Sequence, residues 1–201
     1  MVLSLDNKYI PPEELRENIL SFLKQYKSAT LGTCLGQNPR CSPVQYFMGE
    51  DMDIYVVSAG GEKFKAIEEN PNVCLLVNTE YIDYRRIKGV QVFGTATTSM
   101  ENKDLFNEVL KYAPEPYIIE TIKETVNIIK IAPNKVVYLD SLETGDRTKQ
   151  ILEHNRVIIK EDELTLVWLI SYDTFKLDIL ISNIRLSIWR YFFMAKTINT
   201  N

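Results

Sequence analysis

The chain has 201 residues, of which 45% are apolar and 25% charged, and carries a formal net charge of −4 with a pI near 5.2. That size and composition fit one soluble globular domain, with or without an appendage. The acidic balance argues against a general nucleic-acid binder, whose footprint is a basic face.

Cys34, Cys41 and Cys74 are an odd set without C-x-x-C spacing. They argue against a metal cluster and suit reduced thiols in a cytoplasmic protein. His154 is the only histidine, so one chain cannot build a two-histidine metal site. The N-terminal stretch lacks the basic-then-apolar pattern of a secretory signal. The most apolar late stretch, LTLVWLISYDTFKLDILISNI (Leu164 to Ile184), carries Asp173, Lys176 and Asp178 in its middle. Charges at that depth disfavour a membrane span, so the stretch reads as buried or interfacial.

In chain order, PPEELRENILSFLKQY predicts a first helix, with prolines at its opening and two glutamates in its first turn. Leu15, Ile19, Phe22, Leu23 and Tyr26 recur on one face. Three β-like runs follow: SATLGTCL, RCSPVQYFM and MDIYVVSA, separated by polar turns. A short helix over Lys63–Glu69 ends at Asn70-Pro71, and VCLLVN (Val73–Asn78) is the next strand. IKGVQVFGTATTS is a long alternating strand with Val90, Val92 and Gly94 on one face. NKDLFNEVLKY reads as a helix with Asn102 as N-cap and Leu105, Val109 and Leu110 inward. TVNIIKIAPNKVVYLDS reads as two strands joined around Ala132-Pro133-Asn134.

Many short strands and few helices predict a mostly β fold, an antiparallel Greek-key-like barrel. Composition shifts near residue 150: no glycine follows Gly145, no proline follows Pro133, and apolar side chains crowd the stretch beyond. The expected division is therefore a barrel domain over 1–150 and an extension over 151–201, packed on the barrel or on a partner subunit. Its end, MAKTINTN, reads as frayed.

The most informative stretch is YVVSAGGEKFKAIEENP, Tyr55 to Pro71. An apolar strand runs into Gly60-Gly61 and a helix opens at once, with Lys63 in its first turn. Glycines let successive amides converge, a helix start adds unpaired N–H groups, and lysine adds a full charge. Together these suit a phosphate. The same residues also read as a plain strand-to-helix turn with a solvated lysine, and the stretch alone leaves both open.

The order of the surrounding pieces adds to this. RCSPV, a strand ending at Ser58, the Gly-Gly turn, Lys63, a helix closing on ENP, then VCLLVN and KGVQVFGTA resemble the pyridoxamine 5′-phosphate oxidase-like family of FMN-binding split β-barrels. The resemblance covers residues 14 to 145 or so, and IIKIAPNKVVYLD is similar to that family's last barrel strands. It implies FMN as cofactor, with Arg40, Cys41, Ser42, Pro43 and Val44 along the flavin ring. It sets Val57 and Ser58 beside the ribityl chain and phosphate. Gly60, Gly61 and Lys63 fall at the phosphate, and Lys88 and Gln91 on the ring's other side. It also implies a homodimer with FMN at the subunit interface; the acidic balance and the charges within Leu164 to Ile184 argue against nucleic-acid and membrane partners.

The sequence departs from vitamin B6 oxidases at several positions. Glu62 stands where they carry an arginine; a pairing with a neighbour such as Lys65 would take it from the phosphate. Gly89 and Gln45 replace a glutamine and a lysine, and the C-terminal arginine-and-histidine substrate motif has no counterpart. The resemblance therefore implies an FMN-dependent oxidoreductase acting on another small molecule. The alternative is a flavin-binding electron-transfer or redox-sensing protein without its own substrate; deazaflavin and haem, through His154, are further alternatives. No catalytic residue is assigned, since flavin chemistry needs no protein acid or base. Cys41, Cys34 and Cys74 read as small buried thiols, and Arg85 and Arg86 as a solvated strand edge or a second phosphate contact. Trp168, Trp189 and WRYFFM read as packing or a cover over the ring.

Overall fold

The structure, a computed structural model, describes residues 9–163. The expectations for the stretch 164–184, for Trp168, Trp189 and WRYFFM, and for the terminal MAKTINTN fall outside that range.

Helix α1 (Pro12–Gln25) opens with Pro12, Glu13 and Glu14 in its first turn and buries Leu15, Ile19, Phe22 and Leu23. Each such side chain contributes about 1.5–3 kcal/mol on leaving water. Beyond its end, Tyr26 packs on Phe22 with ring centroids 4.7 Å apart. The Tyr46 hydroxyl donates to the Leu23 carbonyl at 2.6 Å and ties the helix end to the sheet.

Strands β1 (Ser28–Leu35), β2 (Asn38–Met48) and β3 (Ile54–Ser58) form an antiparallel meander. β4 (Asn72–Asn78) then pairs with β1. The resulting order β3-β2-β1-β4 is a Greek key. β5 (Lys88–Thr98) pairs with β4, and β6 (Asn127–Asp140) with β5. The first part of β6 returns to β3, Asn127 opposite Ser58, and closes the barrel. Its second part pairs with β7 (Lys149–Glu153), which forms a hairpin with β8 (Arg156–Lys160). That hairpin carries the sheet past the domain boundary expected at residue 150.

β6 is one strand where the sequence predicts two. Phe93 faces Lys135 and Gly94 faces Pro133, so Asn134 is an extra residue and the strand bends without breaking. Gly94 makes this possible, because a Cβ there would lie 2.4 Å from the Ala132 carbonyl oxygen. The barrel interior is filled by alternate residues such as Leu31, Ile54, Val56, Leu75, Val90, Val92 and Ile131.

Helix α2 (Glu62–Glu69) is the crossover from β3 to β4, and its Phe64 and Ile67 join the same core. Glu69 accepts the Gly36 N–H of the β1–β2 turn at 2.9 Å. α3 (Leu105–Val109) begins later than the sequence predicts. Its cap position is Asp104, and Asn102 instead accepts the Asp104 N–H at 3.1 Å. α4 (Pro116–Ile122) has no counterpart among the sequence expectations. Tyr55 fixes this side of the barrel, with its ring stacked between Phe47 and Tyr112. The Tyr55 hydroxyl donates to Glu108 at 2.6 Å. Lys130 holds Glu108 at 2.6 Å and Asp53 at 2.9 Å.

Candidate functional site

The Greek key explains why the chain turns so sharply after β3: it must leave the sheet and cross the barrel end to reach the far side of β1. Gly60 (φ 134°) and Gly61 (φ 105°) make that turn in a region closed to most side chains. A Cβ on Gly60 would meet nothing within 4 Å. Gly61 occupies the N-cap position of α2, and among the described residues no side chain bonds the first N–H groups of the helix. The Lys63 ammonium folds back onto the Gly60 carbonyl at 2.5 Å and lies 5.4 Å from the Phe64 ring centroid. Partial burial pushes its pKa below the ordinary lysine value. Among the described residues no carboxylate is ion-paired with Lys63.

Glu62, next to Lys63, is ion-paired with Arg40 of β2 rather than with Lys65. This pair spans from the N-terminal half of β2 to the first turn of α2. Arg40, Val57, Ser58, Gly60, Gly61 and Lys63 therefore form one group around the corner. The Ser58 hydroxyl is 3.4 Å from the Gly60 carbonyl.

The other expected site residues separate by strand pleat. Val44 is buried in the barrel, and Ser42, opposite Leu31, shares its face. Cys41 and Pro43 are exposed on the outward face, opposite Gly32 and Thr30. Gln91 reaches the same face through Leu76, three strands from Pro43, or about 14 Å. Lys88 takes the opposite pleat. Its ammonium binds Asp140 at 2.7 Å and lies over the Phe22 and Tyr138 rings. Burial works against that charge, but the bonds to Asp140 and Tyr138 outweigh it and raise the pKa.

Several smaller expectations change. Cys41 is exposed, and Cys34 and Cys74 are half-buried rather than core. Arg85 and Arg86 sit in the loop before β5, not on a strand edge. Arg86 pairs with Asp83 at 2.7 Å, and the Arg85 guanidinium donates to the Gly145 carbonyl at 3.0 Å. His154, with φ 47°, turns the β7–β8 hairpin together with Asn155.

A cleft of about 810 Å³ opens beside the corner. Gln45, Phe47, Met48, Val57 and Ser58 line it from the sheet, Lys24 and Lys27 from the end of α1, and Ile118, Ile119 and Ile122 from α4. The sequence reading missed the α4 wall. Its signals were Pro116 at a helix start and isoleucines at helical spacing.

The corner fits a phosphate monoester by its own features: open space beside Gly60, an uncapped helix start, and an ammonium whose partner is a neutral carbonyl. Such a corner can hold a dianion by charge-assisted hydrogen bonds.

Comparison with known proteins gives the same fold. The family pattern described as pyridoxamine 5′-phosphate oxidase matches residues 15–140. A conserved hypothetical protein of Mycobacterium tuberculosis aligns at 19% identity and TM-score 0.51, covering 62% of this chain and 83% of its own. ChuZ of Campylobacter jejuni aligns at 13% identity and TM-score 0.53, covering 72% of this chain and 61% of its own. General Stress Protein 26 of Bacillus anthracis aligns at 24% identity, covering 62% and 92%, with TM-score 0.46. At such identities the first two speak for the fold alone. Among curated proteins nothing matches the chain.

Proposed function

The chain belongs to the pyridoxamine 5′-phosphate oxidase family, and on that footing we propose that it is an FMN-dependent oxidoreductase acting on a small organic molecule other than pyridoxamine phosphate. The observation that carries this reading is the corner at Gly60-Gly61, where a half-buried ammonium and an uncapped helix start converge. In this reading Lys63 and the adjacent amides hold the phosphate. The backbone of Arg40 to Val44, with the Cys41 and Pro43 side chains facing outward, and the end of β3 flank the rest of the nucleotide. FMN, when bound, supplies hydride or electron transfer.

The protein's own contribution is to bind, orient and shield. The Arg40–Glu62 pair keeps the acid at position 62 engaged. Val57 and Ser58 line both the corner and the cleft, which sets a small molecule next to the cofactor. That open cleft favours a reaction on a small molecule over electron transfer between proteins. Replacements at Gln45, Gly89 and the C-terminal motif support a substrate other than the vitamin.

The outward face supports a homodimer. Leu76, Val137, Ile151 and Ile158 align across β4, β6, β7 and β8 as an apolar band around Gln91, and Ile158 is 51% exposed. A second copy covering this band would bring its Gln91 and Cys41 faces together and set the cofactor between subunits. Among the described residues no helix is long and apolar enough to cross a membrane, and the free cysteines support a reducing, cytoplasmic setting.

The test is an absorbance spectrum of the purified protein with mass spectrometry of whatever it releases. The expected result is a yellow protein, bleached by dithionite, that releases FMN. A colourless protein that takes up no added FMN overturns the proposal.

A further inference from the structure

The cleft beside the corner carries its two cations on one side and most of its apolar surface on the other. The sheet and α4 with the segment after it supply Met48, Val57, Ile118, Ile122 and Val126. The side built by α1 and the residues after it supplies Lys24 and Lys27 together with Leu23 and Tyr26. Both lysines are exposed, and among the described residues neither is ion-paired with a carboxylate. Among the described residues the one acid on the lining is Glu115, at the N-cap of α4. Ile118 remains 38% exposed beside it, so the apolar wall is open to an occupant.

We propose that the cleft binds a monoanionic, otherwise apolar small molecule, such as a medium-chain carboxylate. Its carboxylate meets Lys24 and Lys27, and its hydrocarbon body lies against α4. The volume, about 810 Å³, falls in the range of small-molecule sites, about 300–1,000 Å³. Burying the hydrocarbon supplies the affinity, and the lysines set the direction of entry. Glu115 limits the ligand to one negative group, since a second carboxylate along the cleft would face it. As a binding site the cleft stands on this geometry; that its ligand is the substrate rests on the flavin reading above.

The experiment is calorimetric titration of the purified full chain with octanoate and, separately, with the eight-carbon dicarboxylate suberate. Octanoate should saturate one site per chain, and suberate should bind about tenfold more weakly. The double variant Lys24→Glu/Lys27→Glu should weaken octanoate by about tenfold or more. Its circular dichroism and melting temperature should match the parent, because both lysines are exposed. Ile122→Gln, on the opposite wall, should also weaken octanoate while leaving the charge preference intact. The inference is overturned if octanoate shows no saturable binding, if the double variant binds it as the parent does, or if suberate binds as well as octanoate. Flavin content is read on the same samples. A yellow protein indifferent to octanoate sinks this inference and leaves the flavin reading standing; a colourless protein that binds octanoate does the reverse.

Discussion

Arg40, on β2, and Glu62, in the first turn of α2, are joined by an ion pair across the barrel end. The relationship bears directly on the corner, because Glu62 is the residue before Lys63. Left alone, a carboxylate there would repel a phosphate. Paired, it is neutralised, at the cost of occupying the arginine. Both side chains are substantially exposed, so the pair contributes little to folding, about 0–1 kcal/mol. Glu62→Gln should free Arg40 and tighten FMN by up to about 1 kcal/mol. Titration of apoprotein with FMN, followed by fluorescence quenching, measures this; weaker binding in the variant would contradict it.

Lys63 should matter in the opposite direction. Lys63→Ala removes the one full positive charge of the turn and should weaken FMN by about 1–3 kcal/mol, the usual loss of a charge-assisted contact. The fold should survive, since the ammonium bonds only the Gly60 carbonyl and faces the Phe64 ring. Unchanged FMN affinity would remove the phosphate from this corner even in a yellow protein.

The network under α3 sets a pH dependence. The bonds from Lys130 and Tyr55 hold the Glu108 pKa below the ordinary glutamate value, against a smaller opposing effect of burial. Its stabilisation is therefore complete above the unfolded value, about 4.3, and is lost as pH falls through the depressed one. Chemical denaturation between about pH 6 and pH 3 should show the loss. Glu108→Gln should reduce the slope of that loss and cost about 1–3 kcal/mol at neutral pH, because Lys130 loses one of its two carboxylates. An unaltered slope would mean that other carboxylates govern acid unfolding.

Gly94 is the place where β5 and β6 pass too closely for a side chain. A Cβ there would sit 2.4 Å from Ala132 O and 3.0 Å from Ile131 Cγ2. Gly94→Ala should destabilise the barrel by about 2–4 kcal/mol, or shift β6 and shallow its bend. Thermal unfolding of the variant decides it; a parent-like melting temperature would mean that the strand relaxes freely.

For the dimer, Ile158→Asp should convert the protein to monomer in light scattering. The side chain is 51% exposed in the single chain, so the monomer's own stability should change by no more than about 0.5 kcal/mol. A variant that stays dimeric would move the interface away from the outward band.

Much of this molecule was legible along the chain because its signals are local. The α1 stripe, the runs that became β1 to β5, and the alternation of Val90, Val92 and Gly94 follow from periods of 3.6 and 2. The Gly60-Gly61-Lys63 corner was legible for the same reason: positive φ, a helix start and a charge lie within four residues. The family order of short pieces added the barrel and the cofactor class.

Local signals failed where distant segments decide the outcome. Pro133 and Asn134 carry the marks of a turn, yet β5, β3 and β7 pair along β6 and hold it as one strand. The partner of Glu62 was not Lys65 on the same helix but Arg40, more than twenty positions away, brought near by the crossover. Lys88 and Gln91 share a strand and a sequence neighbourhood, but a spacing of three sends them to opposite faces, one to Asp140 and one outward. Sequence alone determined α1, α2, the strands β1 to β5 and the glycine turn that opens α2 beside Lys63. Only closure of the barrel decided which charges pair, which strand faces point outward, and that α4 comes to wall a cleft beside Ser58, because those contacts join residues the chain keeps far apart.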